Sequence, residues 1–114
     1  MSDTNYIGSI VKILEKPKQK TINSNILVTR FRAQFPQVRN NGIVQLTFWG
    51  NLARDVSNYY EMNDYVLIEG YLSVFDTKKT TQTNQRLKKA NITVLKIYPF
   101  LLTHNRSIMR ISDV

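Results

Sequence analysis

The sequence predicts an all-β domain, a small barrel of five strands with one short helix between the third and fourth strands. Apolar residues alternate with polar ones over several short segments, which is typical of strands that bury one face. Turn residues separate these segments, and a single stretch changes to the spacing of a helix. With 114 residues, the chain is long enough for one domain around one core.

The first half of the chain contains three predicted strands. The first runs from Tyr6 to Leu14 and ends at a charged turn. The second runs from Ile22 to Phe35 and stops at Pro36, because proline cannot donate a hydrogen bond to a sheet. Asn41-Gly42 is a strong turn signal and predicts a hairpin into the third strand, Ile43 to Trp49.

A helix and a fourth strand follow. Leu52, Val56 and Tyr59 are spaced by four and three residues, which places them on one side of a short helix. The fourth strand is Tyr65 to Phe75, and Gly70 occupies one of its inward positions. We therefore expect a bulge or a sharp bend at this glycine.

A polar hairpin loop from Asp76 to Arg86 leads into a fifth strand, Leu87 to about Pro99. Five strands with one helix between the third and fourth is the order of an OB-fold, a Greek-key barrel that often binds oligonucleotides. We expect this domain to span residues 1–102 and the remaining residues, 103–114, to form a short flexible tail.

The charge balance favours a polyanionic partner. Sixteen Lys and Arg against eight Asp and Glu give a net charge of +8. Between Thr77 and Ser112 there are eight basic residues and no acidic one. This imbalance is typical of nucleic-acid binding, attraction to a membrane surface, or a solvated cationic face. No apolar run is long enough to span a membrane, so we expect no membrane partner.

Features of catalysis are absent from the sequence. His104 is the only histidine and follows the last strand, there are no cysteines, and the eight acids show no paired spacing. No glycine-rich phosphate loop is present. We therefore expect a protein that is not an enzyme, with no cofactor, no metal site and no small-molecule substrate.

The third strand places the only tryptophan on a polar face. Val44, Leu46 and Phe48 alternate toward the core. The opposite face carries Ile43, Gln45, Thr47 and Trp49. An outward aromatic can stack on a nucleic-acid base, and Gln45 and Thr47 would then lie beside it. The alternative is a tryptophan packed against a partner subunit or under a loop.

Further candidates for nucleic-acid contact lie on both sides of this strand. Arg30 and Arg32 are two positions apart on the second strand, so they share a face that contacts phosphates or is solvated. Phe35 and Tyr71 are secondary stacking candidates that could equally pack at a barrel end or a subunit contact. The predicted electrostatic arm consists of Lys78, Lys79, Arg86, Lys88 and Lys89.

Two segments resemble bacterial single-stranded-DNA-binding proteins, most closely their short cyanobacterial and plastid-encoded variants. These segments are TFWGNLARDVSNYY (Thr47 to Tyr60) and EMNDYVLIEGYLSV (Glu61 to Val74). FPQVR (Phe35 to Arg39) is similar to the Phe-Pro-x-Leu-Arg of those variants and adds Arg39 to the candidate contacts. The resemblance extends from about Tyr6 to Phe100.

The resemblance implies an OB-fold that binds single-stranded DNA without sequence preference in replication, repair or recombination. It also implies a homo-oligomer, a tetramer or a dimer, and an aromatic at the position of Trp49 that stacks on a base. Two departures are visible. Ile43 stands where many bacterial members have a tryptophan, and the C-terminus is short and net basic instead of ending in an acidic tip.

Two alternatives remain open at this point. An OB-fold surface with aromatic and basic groups also stacks single-stranded RNA. The chain could also be an oligomeric interaction module that has lost nucleic-acid binding. The resemblance to plastid-encoded and bacterial proteins also implies the location. With no transit-peptide pattern visible, we expect synthesis inside a plastid and a location in the stroma, with a bacterial cytoplasm as the second choice.

Overall fold

The computed structural model describes residues 5–36, 42–77 and 87–103. Its elements in chain order are β1 (Asn5–Ile13), β2 (Gln19–Ile22), β3 (Ile26–Gln34), β4 (Ile43–Trp49), α1 (Gly50–Tyr59), β5 (Tyr65–Thr77) and β6 (Leu87–Leu101). The third predicted strand has the bounds of β4. The helix predicted from the spacing of Leu52, Val56 and Tyr59 is observed as α1.

Five of the strands close into a barrel. β1 pairs with β5, β5 with β6, β6 with β4, β4 with β3, and β3 returns to β1 at Lys12 and Ile13. Every pairing is antiparallel except that between β4 and β6, which is parallel. A closed barrel of this order with a helix between β4 and β5 is an OB-fold, so the predicted fold class is confirmed.

The predicted second strand is wrong in one respect, because it is two strands. β2 and β3 form a tight hairpin in which Ile22 pairs with Ile26. Between them, Asn23 and Ser24 have φ values of 51° and 61°. Short polar side chains tolerate this left-handed region, and Asn23-Ser24-Asn25 is a turn signal that the predicted strand passed over. Only the first residue of the predicted strand, Ile22, belongs to β2. The described residues therefore contain six strands where five were predicted.

The core consists of the inward positions of the barrel strands together with one side of α1. Phe31 and Phe48 stack with ring centroids 5.4 Å apart, and Val56 of the helix is fully buried among the core residues. The buried Thr29 hydroxyl donates to the Ala53 carbonyl at 2.8 Å and so ties α1 to β3. The predicted inward face of this strand, including Thr29 and Phe31, is confirmed.

Gly70 lies at an irregularity between β5 and β6, as predicted. The register shifts between Glu69 and Gly70, and Leu95 is the extra residue on β6. A Cβ at Gly70 would lie 2.1 Å from the carbonyl oxygen of Thr93, which is far inside contact distance. The close approach of the two backbones therefore requires glycine here.

Asp64 ties the end of the described chain to the rest of the barrel. Its buried carboxylate accepts hydrogen bonds from the Glu61 N–H at 2.8 Å and from the Thr103 N–H and hydroxyl at 2.9 and 3.0 Å. Its backbone carbonyl accepts from the Ile13 N–H at 2.8 Å. One residue thus links β1, the turn after α1 and the end of β6. The predicted tail lies, apart from Thr103, outside the described residues.

Candidate nucleic-acid interface

Trp49 is the last residue of β4 and points away from the core. Its side chain is 43% exposed, whereas its neighbour Phe48 is fully buried. Gly50 follows with φ +68°, a conformation that favours glycine, and the chain turns there from strand to helix. The predicted assignment of Phe48 to the core and Trp49 to the outer face is confirmed.

Arg30 of β3 lies against the Trp49 ring. Its guanidinium carbon is 5.7 Å from the ring centroid, within the range of a cation–π interaction. Arg30 is opposite Thr47 in the β3–β4 register, so it reaches the tryptophan diagonally across the two strands. Arg30 forms no ion pair with a carboxylate of the described residues. Its charge is therefore available beside the exposed indole.

Arg32 is in a different electrostatic environment, although it is on the same face of β3. Its Nε is 2.7 Å from Glu15 Oε2, and its backbone N–H donates to Glu15 Oε1 at 2.8 Å. The pKa of Glu15 is lowered below its ordinary value of 4.5, first by the backbone N–H of Arg32 and then by the Arg32 side chain. Burial of Glu15 opposes these effects. Within the described chain, Arg32 is therefore paired with a carboxylate, whereas Arg30 is not.

A polar cavity of about 340 Å³ adjoins Trp49. Its lining residues are Arg30, Gln45, Thr47, Trp49, Ser73, Asn91 and Thr93. The Thr47 hydroxyl donates to Asn91 Oδ1 at 2.7 Å across the parallel β4–β6 pairing. Thr47 is only 4% exposed, which differs from the solvated position that strand alternation predicts. Gln45 is exposed on the same face, as predicted.

Sequence reasoning missed a second cleft, of about 580 Å³, that shares Arg30 and Gln45 with the first cavity. Its remaining lining residues are Glu15, Lys16, Lys18, Lys20 and Val28. The three lysines are exposed and come from the β1–β2 connection and β2. Their spacing of two residues in KPKQK was a readable signal, since alternate residues of an extended chain share one face.

The other predicted contacts are dispersed. Phe35 is half-buried and packs against the core, which leaves part of its ring accessible. Tyr71 is exposed on β5 and makes an edge-to-face contact with Tyr6, with 5.1 Å between ring centroids. Lys89 is exposed on β6. Outside what the structure describes are Arg39, Lys78, Lys79, Arg86 and the side chain of Lys88.

A second surface of the barrel is apolar. It is formed by the outward residues of β1, β5 and the end of β6, and its apolar members are Tyr6, Ile10, Leu67, Tyr71, Tyr98 and Phe100. Glu69 and Lys96, opposite each other in the β5–β6 register, lie on the same face. The Tyr6 hydroxyl donates to Glu69 Oε1 at 3.1 Å. Desolvation raises the pKa of Tyr6, and the neighbouring Glu69 carboxylate raises it further. We call this surface the apolar outer face.

The described residues contain neither a cluster of metal ligands nor a membrane-spanning helix. No group of three or more His, Cys, Asp or Glu side chains there is placed to hold a metal ion. No described helix has the length and apolar character needed to cross a membrane.

Comparison with known proteins identifies the family. No family model matches the chain. A protein of Trieres chinensis, named "Putative single-stranded DNA-binding protein ycf41", is 39% identical over 102 residues, which cover 86% of this chain and 90% of that protein. The chain belongs to the ycf41 family. Its relatives are thus the short plastid-type single-stranded-DNA-binding proteins. The segments WGNLA and IEG of this chain resemble the motifs of those proteins.

Solved structures share the fold of this ycf41-family chain at low sequence identity. The single-stranded-DNA-binding domain of a Synechococcus protein superposes with a TM-score of 0.65 at 20% identity, over 86% of this chain and 98% of that one. A small single-stranded-DNA-binding protein from Streptomyces coelicolor superposes with a TM-score of 0.68 at 18% identity, over 88% of this chain and 97% of that one. The second single-stranded-DNA-binding protein of Mycobacterium smegmatis superposes with a TM-score of 0.63 at 21% identity, over 85% of this chain and 89% of that one. These similarities support the barrel and its strand order.

Proposed function

We propose that this ycf41-family protein binds single-stranded DNA with little sequence preference and so supports DNA replication, repair or recombination. The observation that carries the proposal is the half-exposed Trp49 ring, with a polar cavity beside it. Against the ring lies Arg30, which forms no ion pair with any described residue. A base stacked on Trp49 would contribute about 1 to 3 kcal/mol, whatever its identity. The names of the relatives support the same ligand.

The backbone of the DNA would follow the basic residues. Lys16, Lys18 and Lys20 line the cleft that adjoins Arg30, so they extend the positive surface away from Trp49. In this proposal Gln45 contacts the strand beside the stacked base, whereas the buried Thr47 acts through its hydrogen bond to Asn91. Phe35 serves as a further platform, whereas Tyr71 packs at the subunit contact proposed below. Arg32 contacts phosphate once it is released from Glu15. The remaining phosphate contacts are Arg39, Lys78, Lys79, Arg86, Lys88 and Lys89.

A fluorescence titration tests the proposal directly. Trp49 is the only tryptophan, so its emission reports on this one site. Oligo(dT) should change the emission, and log K should fall by about 0.7 per unit of log salt for each phosphate that is neutralised. Unchanged emission with no salt-dependent complex at modest ionic strength would refute the proposal. A matched RNA oligonucleotide in competition separates DNA from RNA preference.

Substitution of Trp49 distinguishes stacking from packing. Trp49→Ala should weaken oligo(dT) binding by about 1 to 3 kcal/mol, whereas Trp49→Phe, which keeps an aromatic face, should lose less. Thermal unfolding should change little, because the ring is half exposed. Ile26→Ala is a control, since Ile26 is 47% exposed but does not line either cavity. Loss of the fold in Trp49→Ala would indicate a packing role instead.

We further propose that the protein is a homo-oligomer, a tetramer or a dimer, formed through the apolar outer face. An exposed apolar patch of this kind marks an interaction site. The first half of β1 is paired on one side with β5, whereas within the described residues its contact with β3 begins at Lys12. A strand edge beside an apolar face suits pairing with a second copy. In this proposal the protein acts by binding and not by catalysis, in the plastid stroma.

A further inference from the structure

Asn91 is a half-buried amide whose orientation is set by another residue. Its Oδ1 accepts the Thr47 hydroxyl at 2.7 Å, a typical O–H···O separation. The Asn91 carbonyl oxygen is therefore engaged, and its Nδ2 group presents two N–H donors. No described residue accepts a hydrogen bond from this Nδ2 group. In this structure Oδ1 faces Thr47, so the Nδ2 donors are the part of the amide that is left for a ligand.

Asn91 lines the cavity next to the Trp49 ring. The cavity volume of about 340 Å³ leaves room for one base with its hydration. Ser73 and Thr93 contribute hydroxyls, which donate or accept equally well. Gln45 contributes an exposed amide with no fixed partner in the described chain. Arg30, which also lines the cavity, can only donate, and Asn91 is the amide of the lining that has a defined hydrogen-bond partner.

We propose that Asn91, oriented by Thr47, contacts the edge of the base that stacks on Trp49 and favours keto bases over amino bases. This inference rests on the proposed single-strand binding. The O4 of thymine or uracil and the O6 of guanine accept from an amide N–H, whereas the exocyclic amine of cytosine or adenine opposes one donor with another. The rest of the interface stays neutral to sequence, so the bias is modest. One hydrogen bond gained or lost corresponds to about two- to tenfold in affinity.

The test compares oligo(dU) with oligo(dC) of equal length. The two bases are the same size and differ at position 4 by a keto or an amino group. A homo-oligomer also places the same base on Trp49 in every register. Asn91→Asp is isosteric, keeps an acceptor for Thr47 and replaces the donors by an acceptor oxygen. The ratio of dU affinity to dC affinity should fall by about fivefold or more relative to the unsubstituted protein.

Two control variants separate this effect from charge and from folding. Asn58→Asp adds the same charge at an exposed position of α1 that does not line the cavity, and it should leave the ratio unchanged. Thr47→Val removes the orienting hydroxyl without changing shape or charge. It should move the ratio in the same direction as Asn91→Asp, but less far, because the freed amide can turn either group toward the base.

The outcomes distinguish this inference from the proposed function. One outcome is that both oligonucleotides bind and that Asn91→Asp and Thr47→Val keep the dU-to-dC affinity ratio of the unsubstituted protein within twofold. Asn91 then does not contact the base and the inference is wrong, while single-strand binding stands. If the unsubstituted protein binds neither oligonucleotide, the proposed function is wrong and this inference falls with it. A ratio that falls in both variants and stays constant in Asn58→Asp supports the contact.

Discussion

Arg30 and Arg32 show how two residues of one type on one strand face acquire different properties. Both point outward from β3, but Glu15 from the β1–β2 connection pairs with Arg32 and not with Arg30. Exposed ion pairs contribute less than about 1 kcal/mol to stability. The consequence for binding is larger, since a guanidinium held by a carboxylate is not available to a phosphate. We infer that Glu15 limits the positive charge of the interface.

Glu15→Gln should therefore strengthen binding to oligo(dT). The substitution removes one negative charge from the cleft and releases Arg32, which can then contact a phosphate. We expect a several-fold gain in affinity at moderate salt and a salt slope that is steeper by about 0.7. Salt-dependent titration of Trp49 emission measures both quantities. Asp55→Asn, the same charge change on α1, is the control, and weaker binding with an unchanged slope would contradict the prediction.

The Glu15–Arg32 pair also has a defined pH dependence. The pKa of Glu15 is lowered in the folded protein, so the stability that the pair contributes is present above about pH 4.5. It is lost as the pH falls through the lowered pKa. Glu15→Gln should remove this part of the acid sensitivity, a small effect because both side chains are largely exposed.

Among the elements, the β5–β6 pairing sets the shape of the barrel near the candidate site. The bulge at Leu95 shifts the register, and the β6 backbone then approaches Gly70 at Thr93. The side chain of the same Thr93 lines the cavity beside Trp49. A change in the spacing of β5 and β6 would therefore reach the wall of the interface.

Gly70→Ala should destabilise the protein strongly. Its Cβ would lie 2.1 Å from the Thr93 carbonyl, and a backbone atom cannot move aside as a flexible side chain can. We expect a loss on the order of 3 kcal/mol in the free energy of unfolding, measured by chemical denaturation. Gly8→Ala is a matched control on β1, where the nearest atoms would be at ordinary contact distances of 3.6 and 3.7 Å. Equal stability of the two variants would contradict this account of the bulge.

Taken as a whole, the barrel presents two chemically distinct outer surfaces. One combines Trp49 with the polar cavity and the lysine cleft, and the other is the apolar outer face. The two surfaces adjoin, because Tyr71 of the apolar outer face is opposite Thr93 of the cavity wall in the β5–β6 register. The lysine cleft has no residue in common with the apolar outer face, which suits an overall charge of +8, because basic residues would repel one another if they faced across a subunit contact.

Tyr98→Glu should weaken self-association. Tyr98 is 45% exposed on the apolar outer face, opposite Leu67, and an unpaired carboxylate is costly to bury. Sedimentation velocity should give a multiple of 13.3 kDa for the unsubstituted protein and a lower mass for the variant at the same concentration. We expect the dissociation constant to rise by about tenfold or more. Ile26→Glu, at 47% exposure elsewhere, should leave the mass unchanged. If both variants keep the mass of the unsubstituted protein, another surface forms the contact.

Local periodicity predicted much of this molecule. Alternation in IVQLTFW separated the buried Phe48 from the exposed Trp49, and the spacing of Leu52, Val56 and Tyr59 located the helix. The same alternation joined Ile22 to β3 and passed over the turn at Asn23 and Ser24, although Asn-Ser-Asn is a cluster of turn residues. It also did not predict the burial of Thr47, which is covered by a strand far away in the sequence.

The sequence by itself therefore determined the helix, the fold class, most of the strands and the face of each of those strands on which a side chain lies. The tertiary structure decided the partners: Glu15 for Arg32, Asn91 for Thr47 from 44 residues away, and Tyr6 for Tyr71. The physical reason is that the direction of a side chain follows from the repeat of its own backbone. Its neighbours depend on which strands pair and in which register, and both depend on the closure of the whole barrel.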